Sequence, residues 1–205
     1  MPLASPRKIV LASGSPRRAE LARAEGWDLF VVPPPEAAEA SAAPRGVAES
    51  LEQFVVRLAW AKAAAVAALG VEGLLLACDT LSEVDGVPLG KPADVADAAR
   101  MLRALSGKRH RVVSGVCLWE VASNGSPCPP LTGHAESTLF MPRLDEAFIA
   151  SYLATDLWQG KAGACGFQDG HVPLELISGS PSNVVGLPLE LVREMLAGHR
   201  SIIAK

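Results

Sequence analysis

The chain has 205 residues, 49% of them hydrophobic and 20% charged, a composition that excludes a disordered polypeptide and suffices for one α/β folding unit, 1–205, with a packed core. A formal net charge of −3 excludes general attraction to a nucleic-acid polymer, so an anionic ligand must be held by local groups. Met1 to Ile9 hold no signal-peptide core, no apolar run reaches bilayer length, and Cys-x-x-Cys and His-x-x-x-His patterns are absent, which predicts a soluble cytoplasmic protein with free thiols and neither a zinc site nor a membrane partner.

Lys8-Ile-Val-Leu-Ala12 predicts a short buried strand, followed by Ser13-Gly14-Ser15-Pro16 and a helix to about Glu25. Pro16 suits the first helical position, Ser15 the cap and Gly26 the stop. Pro33-Pro34-Pro35 forces an extended connection, and the Ala-rich stretch through Ala43 predicts a surface loop. Ser50-Leu-Glu-Gln53 has capping-box spacing and opens a helix to about Leu69. Its apolar stripe comprises Leu51, Phe54, Val55, Leu58, Val66 and Leu69. Lys62 projects about 20° from Leu51, in the middle of that stripe.

Leu74 to Cys78 is a continuous apolar run, the pattern of a strand buried on both faces, with Asp79-Thr80 at its carboxyl end, where open α/β sheets place ligands. Asp85-Gly86 is a hairpin signal; Leu89-Gly90-Lys91-Pro92 is a turn; Asp94 to Ser106 predicts a helix stopped by Gly107. Arg109 to Val121 predicts a long strand, Ser123 to Pro130 an exposed turn, Ala135 to Met141 a strand and Asp145 to Leu153 a helix. Alternating strands and helices point to a mixed α/β sheet flanked by helices, with a cleft.

Three features carry chemistry. Arg17 and Arg18 occupy the first turn of a helix whose dipole is already positive there, which is unfavourable by roughly 0.3–1 kcal/mol unless an anion sits nearby. Free backbone N–H groups, small residues and guanidiniums together suit a phosphate chain; an ordinary Ser-Pro helix start with two solvated arginines is the alternative. Asp79 ends a buried strand, and a carboxylate there needs a hydrogen bond, an ion pair or a metal unless it merely caps a turn. Lys62 and Lys91 are cations in an apolar stripe and a restricted turn, poised for a phosphate cleft or simply snorkelling to water. Neither a Walker A loop nor a Gly-x-Gly-x-x-Gly fingerprint is present.

Together with Leu11-Ala-Ser-Gly-Ser-Pro-Arg-Arg18, Arg57-Leu-Ala59 with Lys62, Cys78-Asp-Thr80, Gly90-Lys-Pro92, Leu105-Ser-Gly107 with His110, Ser114-Gly115-Val116, Lys161-Ala-Gly163, Gly166-Phe-Gln168 and Ser182-Asn-Val-Val-Gly-Leu-Pro-Leu189, the chain resembles the Maf family in order and spacing from Ile9 to about Leu196. The resemblance implies a fold similar to the inosine triphosphate pyrophosphatases: an elongated mixed sheet with a central cleft, often homodimeric. It implies hydrolysis of a nucleoside triphosphate at the α–β linkage with Mg²⁺ or Mn²⁺, Asp79 being the general base and Ser13, Arg17, Lys62, Lys91 and Lys161 polar and cationic cleft groups. Whether Asp79 acts as base or as metal ligand stays open. The family also has an association with septum formation, so a non-catalytic nucleotide-binding regulator of cell division is the competing class, and a 7-methyl-GTP or purine-directed pyrophosphatase of the same fold is the competing enzyme.

Arg17, Thr80 and Gln168 match the family branch acting on dTTP and UTP; the 7-methyl-GTP branch carries an aromatic residue, Gln and Glu at these places. The family's acidic pair is replaced by the scattered acids of Pro33-Pro-Pro-Glu36-Ala-Ala-Glu39, which leaves Glu36 as the second candidate metal ligand beside Asp79. Gly160 and Ser180-Pro181 replace two further acids, and Cys165 and Asp169 are departures beside the Gln168 motif.

Overall fold

The computed structural model describes residues 8–36, 44–121 and 129–203, with side chains to residue 199. Most of the predicted loop through Ala43 and most of the predicted turn from Ser123, with Cys128, lie outside the described residues. In chain order the elements are β1 (Lys8–Leu11), α1 (Pro16–Ala24), β2 (Asp28–Val31), α2 (Leu51–Ala67), β3 (Gly73–Val84), β4 (Val87–Leu89), α3 (Val95–Leu105), β5 (Lys108–Val121), β6 (Leu131–Met141), α4 (Glu146–Leu153), a 3-10 turn (Ala162–Ala164), β7 (Glu175–Ser178), α5 (Pro181–Val185) and α6 (Leu189–Ile203). The sheet order is β2-β1-β3-β5-β6-β7, with β4 also paired to β3. The mixed α/β sheet with flanking helices expected from the alternating pattern is what forms: β1 runs parallel to β2 and β3, while β4 and β7 run antiparallel to β3 and β6.

The chain divides into two compact units, Met1–Asp79 with Ser114–His134 and Gly186–Lys205, and Thr80–Val113 with Ala135–Val185. Strands β3, β5 and β6 each contribute to both. The core of the first unit has two parts. One packs Leu11, Leu76, Cys78, Val116 and Leu187, and the other packs Val10, Ala59, Ala63, Leu75 and Cys117 beside α2. The second unit is built around Leu89, Leu102, Leu105, Met141, Ile149 and Tyr152, so α3 and α4 bury their apolar faces there.

Helix α2 starts as its sequence predicts. Ser50 Oγ accepts from Gln53 N at 3.2 Å while Gln53 Oε1 accepts from Ser50 N at 2.9 Å, satisfying two donors that the first turn would leave open. Its approach is clamped by Glu49, which takes Arg57 Nε and Nη2 at 2.7 and 2.8 Å. Arg57 and then the Gly46 N–H hold the Glu49 carboxyl down to about 2. The buried stripe is Leu51, Val55, Ala59, Lys62, Ala63 and Val66; Phe54 and Leu58 are only half-buried and Leu69 is exposed. Across from it, Gly115 is required by close approach, since a Cβ there would lie 2.3 Å from the Val55 carbonyl carbon and oxygen, far inside van der Waals contact. The backbones of α2 and β5 touch at this point.

Two sequence expectations are corrected. Strand β3 does not stop at Cys78 but continues to Val84, so Asp79 lies within the strand rather than at its end. The continuous apolar run marks only the part beside β1; beyond Asp79 the strand goes on to pair with β4 across the hairpin at Asp85 (φ 51°) and Gly86 (φ 77°). Ser15 makes no side-chain cap on α1; its backbone N–H instead donates to Ser13 Oγ at 3.2 Å.

Candidate active-site residues

The central contact lies in the first unit. Lys62 Nζ donates to Asp79 Oδ1 at 2.5 Å, and the side chains are only 7% and 13% exposed. Two sequence facts bring them together: the helical period sets Lys62 into the buried stripe of α2, and Asp79 falls on β3 directly after its buried apolar run. Burial of either charge alone would cost several kcal/mol, and each is the other's compensation. The second oxygen, Asp79 Oδ2, makes no hydrogen bond among the described residues. A carboxylate with one oxygen fixed by an ammonium and the other open can accept a proton from water or bind a hard cation.

Ser13 is buried, and its hydroxyl oxygen receives Ser15 N and Arg18 Nη1, both at 3.2 Å. With both lone pairs occupied, its own proton is what remains to donate to an anion. Arg18 also donates through Nε to the Gly186 carbonyl at 2.7 Å, and Cys78 Sγ donates to the same oxygen at 3.2 Å. Arg18 is thus a guanidinium that organises this loop, and Arg17 beside it is half-buried in the first turn of α1. Spacing does not report the Arg18 contact, whose partner is a carbonyl 168 residues away. Glu36 is exposed and directly precedes residues outside the description. Among the described residues no three His, Cys, Asp or Glu side chains gather as a ready-made metal cage.

The other candidates belong to the second unit. Thr80 is half-buried on β3, Lys91 is exposed, and Gln168 is exposed. The Lys91 turn is pinned on both sides. The Gly90 carbonyl accepts from Gly163 N at 3.1 Å, and downstream Asp97 Oδ2 takes Ala93 N at 3.1 Å while Asp94 Oδ1 caps α3 through Asp97 N at 2.8 Å. Lys91 and the Lys161-Ala-Gly163 segment are therefore neighbours. Lys161 is buried, and its ammonium is ion-paired with Asp169. Nothing local in the sequence marks that pairing, where Asp169 shows only as a departure beside the Gln168 motif.

Other residues of the sequence pattern are structural. Asn183 is buried and donates to Val112 O at 3.1 Å and to Ser137 Oγ at 2.9 Å. Burial pushes the His110 imidazole down to about 4, with a backbone hydrogen bond to Lys108 opposing, so it is neutral near pH 7. Cys78, Cys117 and Cys165 are free thiols, and burial raises both Cys117 and Cys165 to about 12, which makes them poor nucleophiles. No described helix is long and apolar enough to cross a membrane.

A family model described as "Maf-like protein" matches residues 8–199. A protein of Rhodopirellula baltica named dTTP/UTP pyrophosphatase is 42% identical over 193 residues, covering 94% of this chain and 82% of its own. Proteins of the same name from Oleidesulfovibrio alaskensis and Geobacter metallireducens are 42% and 41% identical, covering 91% and 92% of this chain and 83% and 94% of theirs. Among solved structures, a HAM1 protein from Coxiella burnetii aligns with a TM-score of 0.46 and 17% identity over 94% of this chain and 99% of that one.

Proposed function

Because the chain belongs to the Maf-like family, we propose that it is a nucleoside triphosphate pyrophosphatase that hydrolyses dTTP and UTP to the monophosphate and pyrophosphate. The observation that carries the reading is the Lys62–Asp79 pair: a nearly buried carboxylate with one oxygen held at 2.5 Å by an ammonium and the other open. Asp79 Oδ2 orients the attacking water and takes its proton. General-base assistance of this kind is typically worth about 10²–10⁴-fold. Lys91, Lys161, Arg17 and the Ser13 hydroxyl offset the phosphate charge that would otherwise repel the nucleophile.

The donor set suits Mg²⁺ or Mn²⁺ bound in the manner of nucleotide enzymes, by one or two carboxylates plus the substrate's own phosphates rather than by a protein cage. Asp79 would hold it, with Glu36 as the second carboxylate; when bound, it neutralises phosphate charge. Thr80 and Gln168 are neutral donors suited to pyrimidine carbonyls, and three relatives at 41–42% identity are named for dTTP and UTP. The test is pyrophosphate release from a nucleotide panel that includes 7-methyl-GTP. The highest kcat/KM is expected for dTTP or UTP, and a preference for 7-methyl-GTP over both would overturn the substrate assignment. Titrating metal against Asp79→Asn separates the two roles of Asp79: a defect rescued by excess metal marks a ligand, and one that persists at saturation marks the base.

A further inference from the structure

Lys161 is 8% exposed, and an ammonium so buried is costly unless a counter-charge meets it. Its partner is Asp169, eight residues on, whose carboxylate folds back across the intervening loop to the Lys161 Nζ. Between them lies Gly166. It is absent from the glycines with left-handed backbone, so conformational freedom does not explain it. Space does. A Cβ on Gly166 would land on the Asp169 carboxylate and lie 3.1 Å from Lys161 Cδ. The loop is therefore closed by three interlocking choices: a lysine at its start, an acid at its end and no side chain where they pass.

We propose that Asp169 is the positioning residue of Lys161, fixing its direction for the triphosphate, and that Gly166 is the gap through which it reaches. The inference rests on the reading of Lys161 as a phosphate-binding group. Asp169 engages one of the three ammonium donors, leaving two for phosphate oxygens. Without the carboxylate the flexible four-carbon stem loses its aim.

Two variants attack the pair by different routes. Asp169→Asn removes the charge and keeps the shape; Gly166→Ala keeps the charge and pushes the carboxylate away. Each should raise KM for dTTP roughly tenfold, the scale of one lost charge-assisted hydrogen bond, with a smaller change in kcat. The double variant should be no worse than the single ones. Thermal melts establish that the variants are folded. A second readout needs no substrate: NMR of the Lys161 ammonium, assigned with Lys161→Met, should show its protons exchanging with water faster in both variants. Unchanged exchange of the Lys161 ammonium protons overturns the positioning role even if the protein hydrolyses no nucleotide. A KM that is unchanged or falls also overturns it, a fall showing that Asp169 competes with phosphate for Lys161. If Lys161→Met leaves KM unchanged while the ammonium exchange quickens as expected in the Asp169 and Gly166 variants, the phosphate-binding reading of Lys161 fails and the ion-pair geometry stands.

Discussion

Replacing Lys62 by methionine, Asp79 by asparagine, and both together separates the pair's contribution to stability from its chemistry. With the side chains 7% and 13% exposed, the small values typical of surface ion pairs do not apply. Each single variant leaves the other charge or dipole desolvated without its partner, which costs about 3 kcal/mol at the low end of the range for broken buried pairs. The double variant removes the orphan as well, so it should lose about 4 kcal/mol rather than the additive 6, a coupling of about 2 kcal/mol. In a chain of this size each single loss corresponds to a Tm lower by about 6–12 °C. Urea unfolding of the four proteins at pH 7 gives the cycle, and pyrophosphate release gives activity alongside. Single losses below about 1 kcal/mol that simply add would refute the claim that the two charges compensate each other in a dry site.

Gly115→Ala drives a methyl group into the Val55 backbone and forces α2 away from β5; it should cost at least about 3 kcal/mol by chemical denaturation, and a near-neutral effect would contradict the close approach. Lys91→Met, at an exposed position in a pinned turn, should raise KM for dTTP while leaving Tm within about 1–2 °C of the parent, as measured by turnover beside a melt. Gln168→Glu should narrow the preference for dTTP and UTP over 7-methyl-GTP, because a carboxylate suits the donors of a guanine edge; an unchanged kcat/KM ratio would remove Gln168 from base reading. Folded His110 titrates near 4 against 6.5 when unfolded, so its contribution is fully present above pH 6.5 and is lost as pH falls toward 4, because only the unfolded chain then binds the proton. That difference amounts to about 3 kcal/mol, and His110→Leu should flatten the acid slope of stability between those values.

Much of this site was legible because it follows from local patterns. Capping-box spacing located the start of α2, the 3.6-residue period put Lys62 in the buried stripe, and Asp85-Gly86 marked the hairpin that turns β3 into β4. What escaped depends on distant partners. A run of apolar residues reports burial, not the point where a strand ends, so Asp79 was expected at the strand's edge although β3 continues for five residues beyond it, from Thr80 to Val84. The contact of Arg18 with the Gly186 carbonyl joins residues 168 apart, which no local pattern reports. Strands β2 and β7 are four residues each with weakly alternating exposure, too short for periodicity to mark. Asp169 looked like a departure from a pattern, and only the path of the loop through Gly166 shows what it faces.

The most direct test of the account is single-turnover hydrolysis of dTTP at saturating Mg²⁺ by the parent protein and by folded Asp79→Asn, with both products quantified. The parent should yield dTMP and pyrophosphate in equal amounts, and the variant should be slower by about 10²–10⁴-fold. Release of orthophosphate and dTDP by the parent, or near-parental turnover by the folded variant, would contradict it.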